Sequence, residues 1–191
     1  MAAHLCPPYL GYLLVNPLRR LVDKPEKLLG PFVKEGMTVL EPGPAMGFFT
    51  LPLARMVGPK GRVVVLEVQQ KMLDRLIQRA RRAGLADRIE PRLVTQAEPG
   101  MSDLEGRVDF AAALNVVHEV SDPVAFLVST HAALKPGGKL LLVEPRGPVS
   151  AEDFEQTVGR VKRAGFELED REVDVRGRAA LFVKPLGRTP G

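Results

Sequence analysis

Short runs of apolar residues alternate along the chain with longer segments in which apolar residues recur at every third or fourth position. The short runs, rich in Val and Leu, suit strands buried inside a sheet, and the longer segments suit helices that cover it. The predicted strands are 37–40, 62–68, 89–94, 108–114 and 139–143. The predicted helices are 25–33, 48–57, 69–83, 122–134 and 150–164. This alternation predicts parallel strands joined by helices.

The last part of the chain predicts a different arrangement. Residues 166–175 and 179–184 predict two strands, and Arg176-Gly177-Arg178 predicts the turn that joins them into a hairpin. The expected fold is therefore α/β: a doubly wound, mostly parallel, seven-stranded sheet with a C-terminal antiparallel hairpin.

The length of the chain fits one domain. It has 191 residues, of which 45% are apolar, and this is enough for a substantial core. Residues 1–24 are apolar and interrupted by prolines, so we expect one or two short amphipathic helices that form a lid. The domain proper is expected at 25–185, with a tail at 186–191.

The sequence predicts a protein of the cytoplasm. No apolar run approaches the roughly 20 residues of a membrane-spanning helix, and the first residues lack the pattern of a signal peptide. Cys6 is the only cysteine, so an internal disulfide is impossible. These features fit a reducing compartment and predict no membrane partner.

Basic residues outnumber acidic ones, which gives a net charge of +4 and a pI of about 9.4. Much of the excess is one cluster of arginines: Arg75, Arg79, Arg81, Arg82, Arg88 and Arg92. Such a cluster can contact RNA, but no aromatic residues alternate with these arginines to stack on bases. A solvated helix face explains the cluster better. Nucleic acid is therefore not the expected partner, although RNA stays open as an alternative.

The most informative stretch joins the first predicted strand to the next helix. The strand ends on Glu41, and the turn that follows is rich in Gly and Pro. Small residues let a ligand approach the backbone, and the free N–H groups at a helix start favour its anionic parts. An acid before such a turn suits a ligand that also carries an ammonium group.

Polar residues follow the other predicted strands too: Glu67, Gln96, Asn115 and Glu144. In an open α/β sheet, ligands bind outside the carboxyl ends of the strands. Glu67 comes about 20 residues after the turn, where a carboxylate accepts hydrogen bonds from both hydroxyls of a ribose. Val68 and Met72 are placed to flank an adenine ring. Gln96 and the backbone N–H of Ala97 are placed to bond its edge.

Two cofactors fit an acid at the second strand end, namely a dinucleotide and S-adenosylmethionine. A dinucleotide site usually has the order G-x-G-x-x-G, whereas this turn reads E-P-G-P-A-M-G. Glu41 would repel a pyrophosphate, but it would attract an aminoacyl ammonium and a sulfonium. The sequence therefore favours S-adenosylmethionine.

Four segments together resemble one family, the class I S-adenosylmethionine-dependent methyltransferases. They are VLEPGPAMGFFT (39–50), VVVLEVQQKML (63–73), VDFAAALNVVHEVSDPVAFL (108–127) and LKPGGKLLLVEP (134–145), and the resemblance covers about 25–184. It implies a Rossmann-like fold, S-adenosylmethionine as the cofactor and methyl transfer as the activity. An acceptor of small-molecule type is the nearest match.

The resemblance also implies the cofactor-binding residues. They are Glu41, Gly43, Pro44, Ala45, Gly47, Phe49, Glu67, Val68, Met72, Gln96, Ala97, Asn115 and Val116. Two positions depart from the family pattern. Ala45 stands where the middle glycine is usual, and Gln96 stands where an acid often bonds the adenine amino group.

His118 is the candidate catalytic residue, because it follows the fourth strand, near where an acceptor would lie. Histidine has the pKa range of a general base, although a structural bond within the turn is the alternative. Glu119 and Glu144 are weaker candidates. His4 and Cys6 with His118 fall short of a diagnostic metal spacing, so no metal is expected.

The expected function is methyl transfer to a small-molecule acceptor. Its pocket is expected near Tyr9, Tyr12, Phe48, His118 and Arg146. An RNA or protein methyltransferase and a binding module without catalysis remain the alternatives.

Overall fold

The computed structural model describes residues 24–95 and 98–187. Its strands are β1 (Thr38–Pro42), β2 (Arg62–Glu67), β3 (Ile89–Leu93), β4 (Val108–Leu114), β5 (Leu134–Glu144), β6 (Glu167–Glu169) and β7 (Arg178–Val183). Its α-helices are α1 (Pro25–Leu29), α2 (Thr50–Met56), α3 (Gln70–Arg82), α4 (Pro123–Ala133) and α5 (Ala151–Arg163). The predicted lid at 1–24, with His4, Cys6, Tyr9 and Tyr12, lies outside the described residues except for Lys24.

The seven strands form one sheet in the order β3-β2-β1-β4-β5-β7-β6. Strands β1 to β5 are parallel, and β7 runs antiparallel to both β5 and β6. The predicted fold class is confirmed. The strand order reverses between β1 and β4, and this point is where a doubly wound sheet opens a crevice for a ligand.

Helices cover both faces of the sheet, because strands buried on both sides need two apolar layers. Helices α1, α2 and α3 pack on one face, where Leu29, Leu53 and Leu76 are fully buried. Helices α4 and α5 pack on the other, where Leu127 and Val161 are fully buried.

Side-chain caps fix where the later helices begin. Asp122 accepts a hydrogen bond from the Ala125 N–H at the start of α4. Ser150 and Asp153 form a reciprocal capping box at the start of α5, as the sequence predicts. Both helices therefore begin just beyond the carboxyl-end loops that they border.

Two local predictions are wrong. The predicted hairpin is too long, because β6 has only three residues and residues 170–177 leave the sheet. Val173 and Val175 in that segment pack on the apolar layer of α1 to α3 instead. Residues 135–138, which fall between the predicted helix 122–134 and the predicted strand 139–143, are part of β5, where a shift of register next to β4 accommodates them.

No helix in the described part of the chain is long and apolar enough to cross a membrane.

Candidate active site

A cavity of about 1010 Å³ opens at the carboxyl ends of β1, β2, β4 and β5. This volume lies at the upper end of the range for ligand pockets, roughly 300–1,000 Å³, and leaves room for a cofactor beside a small acceptor. The cavity lies at the point where the strand order reverses. Most of the residues that the sequence predicts for the site line it.

Glu41 stands at the end of β1 and is only 2% exposed. Its Oε2 is buried and has no hydrogen-bond partner among the described residues. Burial raises the pKa of Glu41 to about 8, although the nearby Thr50 hydroxyl opposes the rise. A buried carboxylate without a partner is costly, and a cationic ligand group would remove that cost.

The turn after β1 places backbone atoms at the cavity. Gly43 has a φ of +64°, and a Cβ there would lie 2.6 Å from Cγ2 of Val116. Ala45 also has a positive φ, 47°, which is a strained conformation for alanine. Gly43 and Ala45 line the cavity, as do Pro44 and Phe49.

Gly47 has a different place from the one that the resemblance implies. It is not among the residues that line the cavity. A Cβ at Gly47 would lie 3.1 Å from Cγ of Leu76 on α3, and its φ is +82°. Its smallness therefore serves the close packing of the turn against α3.

Glu67 ties the turn to the end of β2. Its Oε2 accepts from the backbone N–H of Ala45 at 3.2 Å, and its Oε1 accepts from those of Val68 and Gln69 at 2.9 Å each. Burial raises the pKa of Glu67, and these three bonds oppose the rise. The bonds fix the carboxylate at the cavity wall, where lone pairs remain for ribose hydroxyls.

The predicted adenine side of the site is described in part. Val68 and Met72 line the cavity, together with Val94 and Thr95 from the segment after β3. Gln96 and Ala97, which the sequence assigns to the base edge, lie outside the described residues.

The loop after β4 also holds a strained residue. Asn115 has a φ of +58°, and its N–H donates to the Val143 carbonyl on β5 at 2.7 Å. Asn115 and Val116 line the cavity. Strained backbone of this kind concentrates at ligand sites, which supports the two predicted positions.

His118, which lines the cavity, forms a pair with the buried Glu144. Nδ1 of His118 lies 2.5 Å from Oε2 of Glu144, which is 1% exposed. The other oxygen of Glu144 accepts from the N–H groups of Val117 and His118. The hydrogen bond to Glu144 raises the pKa of His118 against the opposing effect of burial, and the charges of Glu144 and Glu119 raise it further.

This pairing engages Nδ1 of His118 and leaves Nε2 on the other side of the ring. With Nδ1 bonded to the carboxylate, Nε2 is left at the opposite edge of the ring, 3.8 Å from Oε1 of Glu119. Both His118 and Glu119 line the cavity. Nε2 is thus placed to exchange a proton with a bound molecule.

Sequence analysis missed one wall of the cavity. Lys24 and Lys27 at α1 and residues 174–177 line this part of it. Lys27 Nζ lies 2.5 Å from Oδ2 of Asp174, so α1 is joined to the segment that leaves the sheet. The signal available in the sequence was the density of charge at 167–178, which is unusual for a buried hairpin.

Three of the clustered arginines are engaged inside the molecule. Arg79 donates to the Met46 carbonyl, Arg88 to the Ala54 carbonyl, and Arg92 to Glu90 and Asp103. Arg79 thereby anchors the turn after β1 to α3. The cluster is in part structural, and nucleic-acid binding remains untested.

The chemistry of this site fits S-adenosylmethionine. Its ammonium group matches the unpartnered Oε2 of Glu41, and its ribose matches the carboxylate of Glu67. The described residues hold no group of three or more His, Cys, Asp or Glu side chains arranged for a metal ion. Fold and site together define a Rossmann-like protein that binds a nucleoside cofactor with a cationic side chain.

The sequence model of the family described as "Methyltransferase domain" matches residues 33–171. The chain belongs to this family. The predicted membership of the class I S-adenosylmethionine-dependent methyltransferases is confirmed, and S-adenosylmethionine is the cofactor of this class.

Curated relatives match only a part of this chain. The ubiquinone/menaquinone biosynthesis C-methyltransferase UbiE of Enterobacter sp. (strain 638) is 30% identical over 117 residues, which are 61% of this chain and 46% of that relative. The protein of the same name from Klebsiella pneumoniae (strain 342) is 28% identical over the same shares. The match thus covers less than half of the length of these relatives.

Solved structures show the same fold. A SAM-dependent methyltransferase from Aquifex aeolicus superposes with a TM-score of 0.82 at 26% identity, covering 94% of this chain and 100% of that one. A SAM-dependent O-methyltransferase from Thermotoga maritima superposes with a TM-score of 0.66 over 87% of this chain and 66% of that one. At 19% identity that likeness concerns the fold alone.

Proposed function

We propose that this protein transfers a methyl group from S-adenosylmethionine to a small-molecule acceptor, with His118 as the general base. The observation that carries the proposal is the bond between His118, which lines the cofactor cavity, and the buried carboxylate of Glu144. The name of the curated relatives, a C-methyltransferase of quinone biosynthesis, supports an acceptor of small size.

Some residues of the chain bind the cofactor, and another transfers the proton. S-adenosylmethionine, when bound, supplies a methyl group on a positively charged sulfur, which departs as a neutral thioether. Glu41 and Glu67 hold the cofactor at its ammonium and ribose ends. The walls around Phe48 and Phe126 exclude water and align the attacking atom, and such positioning supplies most of the rate.

His118 takes the proton that the attacking atom loses. Glu144 bonds Nδ1, so the proton can reach Nε2 without competition from the other ring nitrogen. The negative charge of Glu144 then stabilises the imidazolium that forms, much as a buried carboxylate does for the histidine of other general-base pairs. The new bond joins acceptor and methyl carbon, and the electrons of the old bond stay on sulfur.

A screen for S-adenosylhomocysteine release across pooled metabolites tests the proposal. We expect release with the parent protein and a loss of 10²- to 10⁴-fold in His118→Ala, which is the usual range for a general base. Cofactor affinity should be unchanged in that variant. Release that is equal in His118→Ala and the parent would contradict the role of His118 but leave methyl transfer intact.

A further inference from the structure

Four basic side chains line the cavity in addition to the residues predicted for the cofactor. They are Lys24 just before α1, Lys27 in α1, Arg146 in the segment after β5, and Arg176 in residues 170–177. We call these four residues the basic rim.

The rim is held together by contacts between its three segments. Lys27 pairs with Asp174 at 2.5 Å, and Nε of Arg146 donates to the Gly177 carbonyl at 3.3 Å. Asp174 therefore neutralises one cation of the four. Among the described residues, no carboxylate lies within ion-pair distance of Lys24, Arg146 or Arg176.

Acidic residues line the same cavity. Glu41, Glu67, Glu119 and Asp122 all line it. S-adenosylmethionine carries two positive charges and one negative charge, so these acidic residues suit it. The basic rim has no matching role for the cationic groups of that cofactor, and its surplus of positive charge needs another anion.

Arg146 is close to the catalytic pair along the chain. Glu144, which bonds His118, is the last residue of β5, and Arg146 follows it by two positions. His118 and Arg146 line the same cavity, so one small molecule there can contact both. Val120, Val143 and Val175 add apolar surface to this cavity.

The rim also lies mainly outside the segment shared with the family. The family model matches residues 33–171, whereas Lys24, Lys27, Asp174 and Arg176 all fall beyond those bounds. The shared segment contains the residues placed for the cofactor.

We propose that the acceptor is a small organic anion, whose carboxylate or phosphate group binds Arg146, Arg176 and Lys24 while its reacting atom lies at His118. This proposal rests on the proposed function and names the class of its substrate. Arginine binds both anionic groups through paired N–H donors, so the two sources share one chemistry.

A binding experiment tests the rim without turnover. The protein is saturated with S-adenosylhomocysteine, and its melting temperature is compared in inorganic phosphate and in chloride at equal ionic strength. We expect phosphate to raise it, and Arg146→Gln/Arg176→Gln to lose more than half of this rise. Arg146→Lys/Arg176→Lys keeps the charge but loses the paired donors, so it should retain more of the rise than the Gln variant and less than the parent. Arg81→Gln/Arg82→Gln, which removes equal charge from α3, should behave like the parent.

Three results would overturn the proposal. The first is an equal melting temperature in phosphate and chloride. The second is a phosphate effect that survives in Arg146→Gln/Arg176→Gln. The third is a loss of about tenfold or more in S-adenosylhomocysteine affinity in that variant, which would show that the rim binds the carboxylate of the cofactor instead.

A turnover experiment then separates the two sources of the anion. Pooled metabolites are divided by anion exchange, and we expect S-adenosylhomocysteine release only with the retained fraction. Phosphatase treatment abolishes the activity of a phosphate ester and leaves that of a carboxylate. With this fraction, Arg146→Gln/Arg176→Gln should raise KM about tenfold and leave kcat nearly unchanged. Activity confined to the unretained fraction would refute the anionic acceptor, whereas no binding of S-adenosylhomocysteine by the parent would refute the proposed function itself.

Discussion

Glu144 holds His118 through both of its carboxylate oxygens. Oε2 lies 2.5 Å from Nδ1 of the ring, and Oε1 accepts from the backbone N–H of His118 at 3.3 Å. The side chain and the backbone of the histidine are thus fixed by one buried group at the end of β5. The ring cannot turn without breaking a charge-assisted bond.

The pH dependence of turnover should follow from this pair. His118 must be deprotonated to act as a base, so kcat/KM falls below its pKa, which Glu144 holds above the usual 6.5. Glu144→Gln removes that charge, lowers the pKa and moves the acid limb of the profile to lower pH. The plateau rate should fall by about tenfold or more, because the imidazolium loses its partner.

Glu119→Gln is the control for this prediction, because Glu119 is farther from the ring, at 3.8 Å from Nε2. Its acid limb should move less than that of Glu144→Gln. If the acid limb of the kcat/KM profile stays in place in Glu144→Gln, a group other than His118 controls it.

Glu67→Ala should weaken S-adenosylmethionine binding by about tenfold or more, because a ribose would lose a charged acceptor. Isothermal calorimetry measures the change. Glu155→Ala on the exposed side of α5 is the matched control and should bind as the parent does. Affinity equal to the parent in Glu67→Ala is incompatible with a ribose at this carboxylate.

Glu41 should make the cofactor-free protein less stable at alkaline pH. Its pKa is about 8 in the folded protein, against 4.5 for an ordinary glutamate, so the folded state holds the proton more tightly. The free energy of unfolding therefore falls as pH rises from about 4.5 to about 8, by an amount on the order of a few kcal/mol.

Glu41→Gln removes this dependence, since an amide does not titrate. Thermal unfolding without cofactor should show the variant close to the parent at pH 5 and more stable at pH 9. The same variant should bind S-adenosylmethionine more weakly, because the ammonium loses its counter-charge. A parent whose stability is flat between pH 5 and pH 9 would contradict the prediction.

The turn after β1 offers a paired test of backbone strain. Ala45 has a φ of 47°, so Ala45→Gly should stabilise the protein by up to about 1 kcal/mol. Gly47→Ala should cost about 1–3 kcal/mol, because its φ is +82° and its Cβ would press on Leu76. Urea unfolding measures the change in the free energy of unfolding for each variant, provided that the m-value is unchanged. We expect the two changes to have opposite signs.

The fold could be predicted from sequence because strands of a parallel sheet are apolar on both faces. The runs at β2 and β4 are recognisable for this reason, and the topology then brings Glu41, Glu67 and Asn115 to one edge. Positions at strand ends are set by the chain order of the elements, which a sequence shows directly.

Most of the basic rim could not be predicted in this way. Val173 and Val175 alternate with charged residues as a strand would, but they pack on the apolar layer of α1 to α3. The contact between Lys27 and Asp174 joins positions far apart in the sequence, and no local sequence pattern predicts it. The unpartnered oxygen of Glu41 likewise depends on what surrounds it in space.

The ion pair of Lys27 with Asp174 spans 147 positions of the chain. During synthesis, Lys27, Glu41 and Glu67 leave the ribosome early, whereas Asp174 leaves about a hundred residues after Glu67. At about 5–20 residues per second, several seconds separate the two events. The contact that joins α1 to residues 170–177 can therefore form only well after Glu41 and Glu67 have been synthesised.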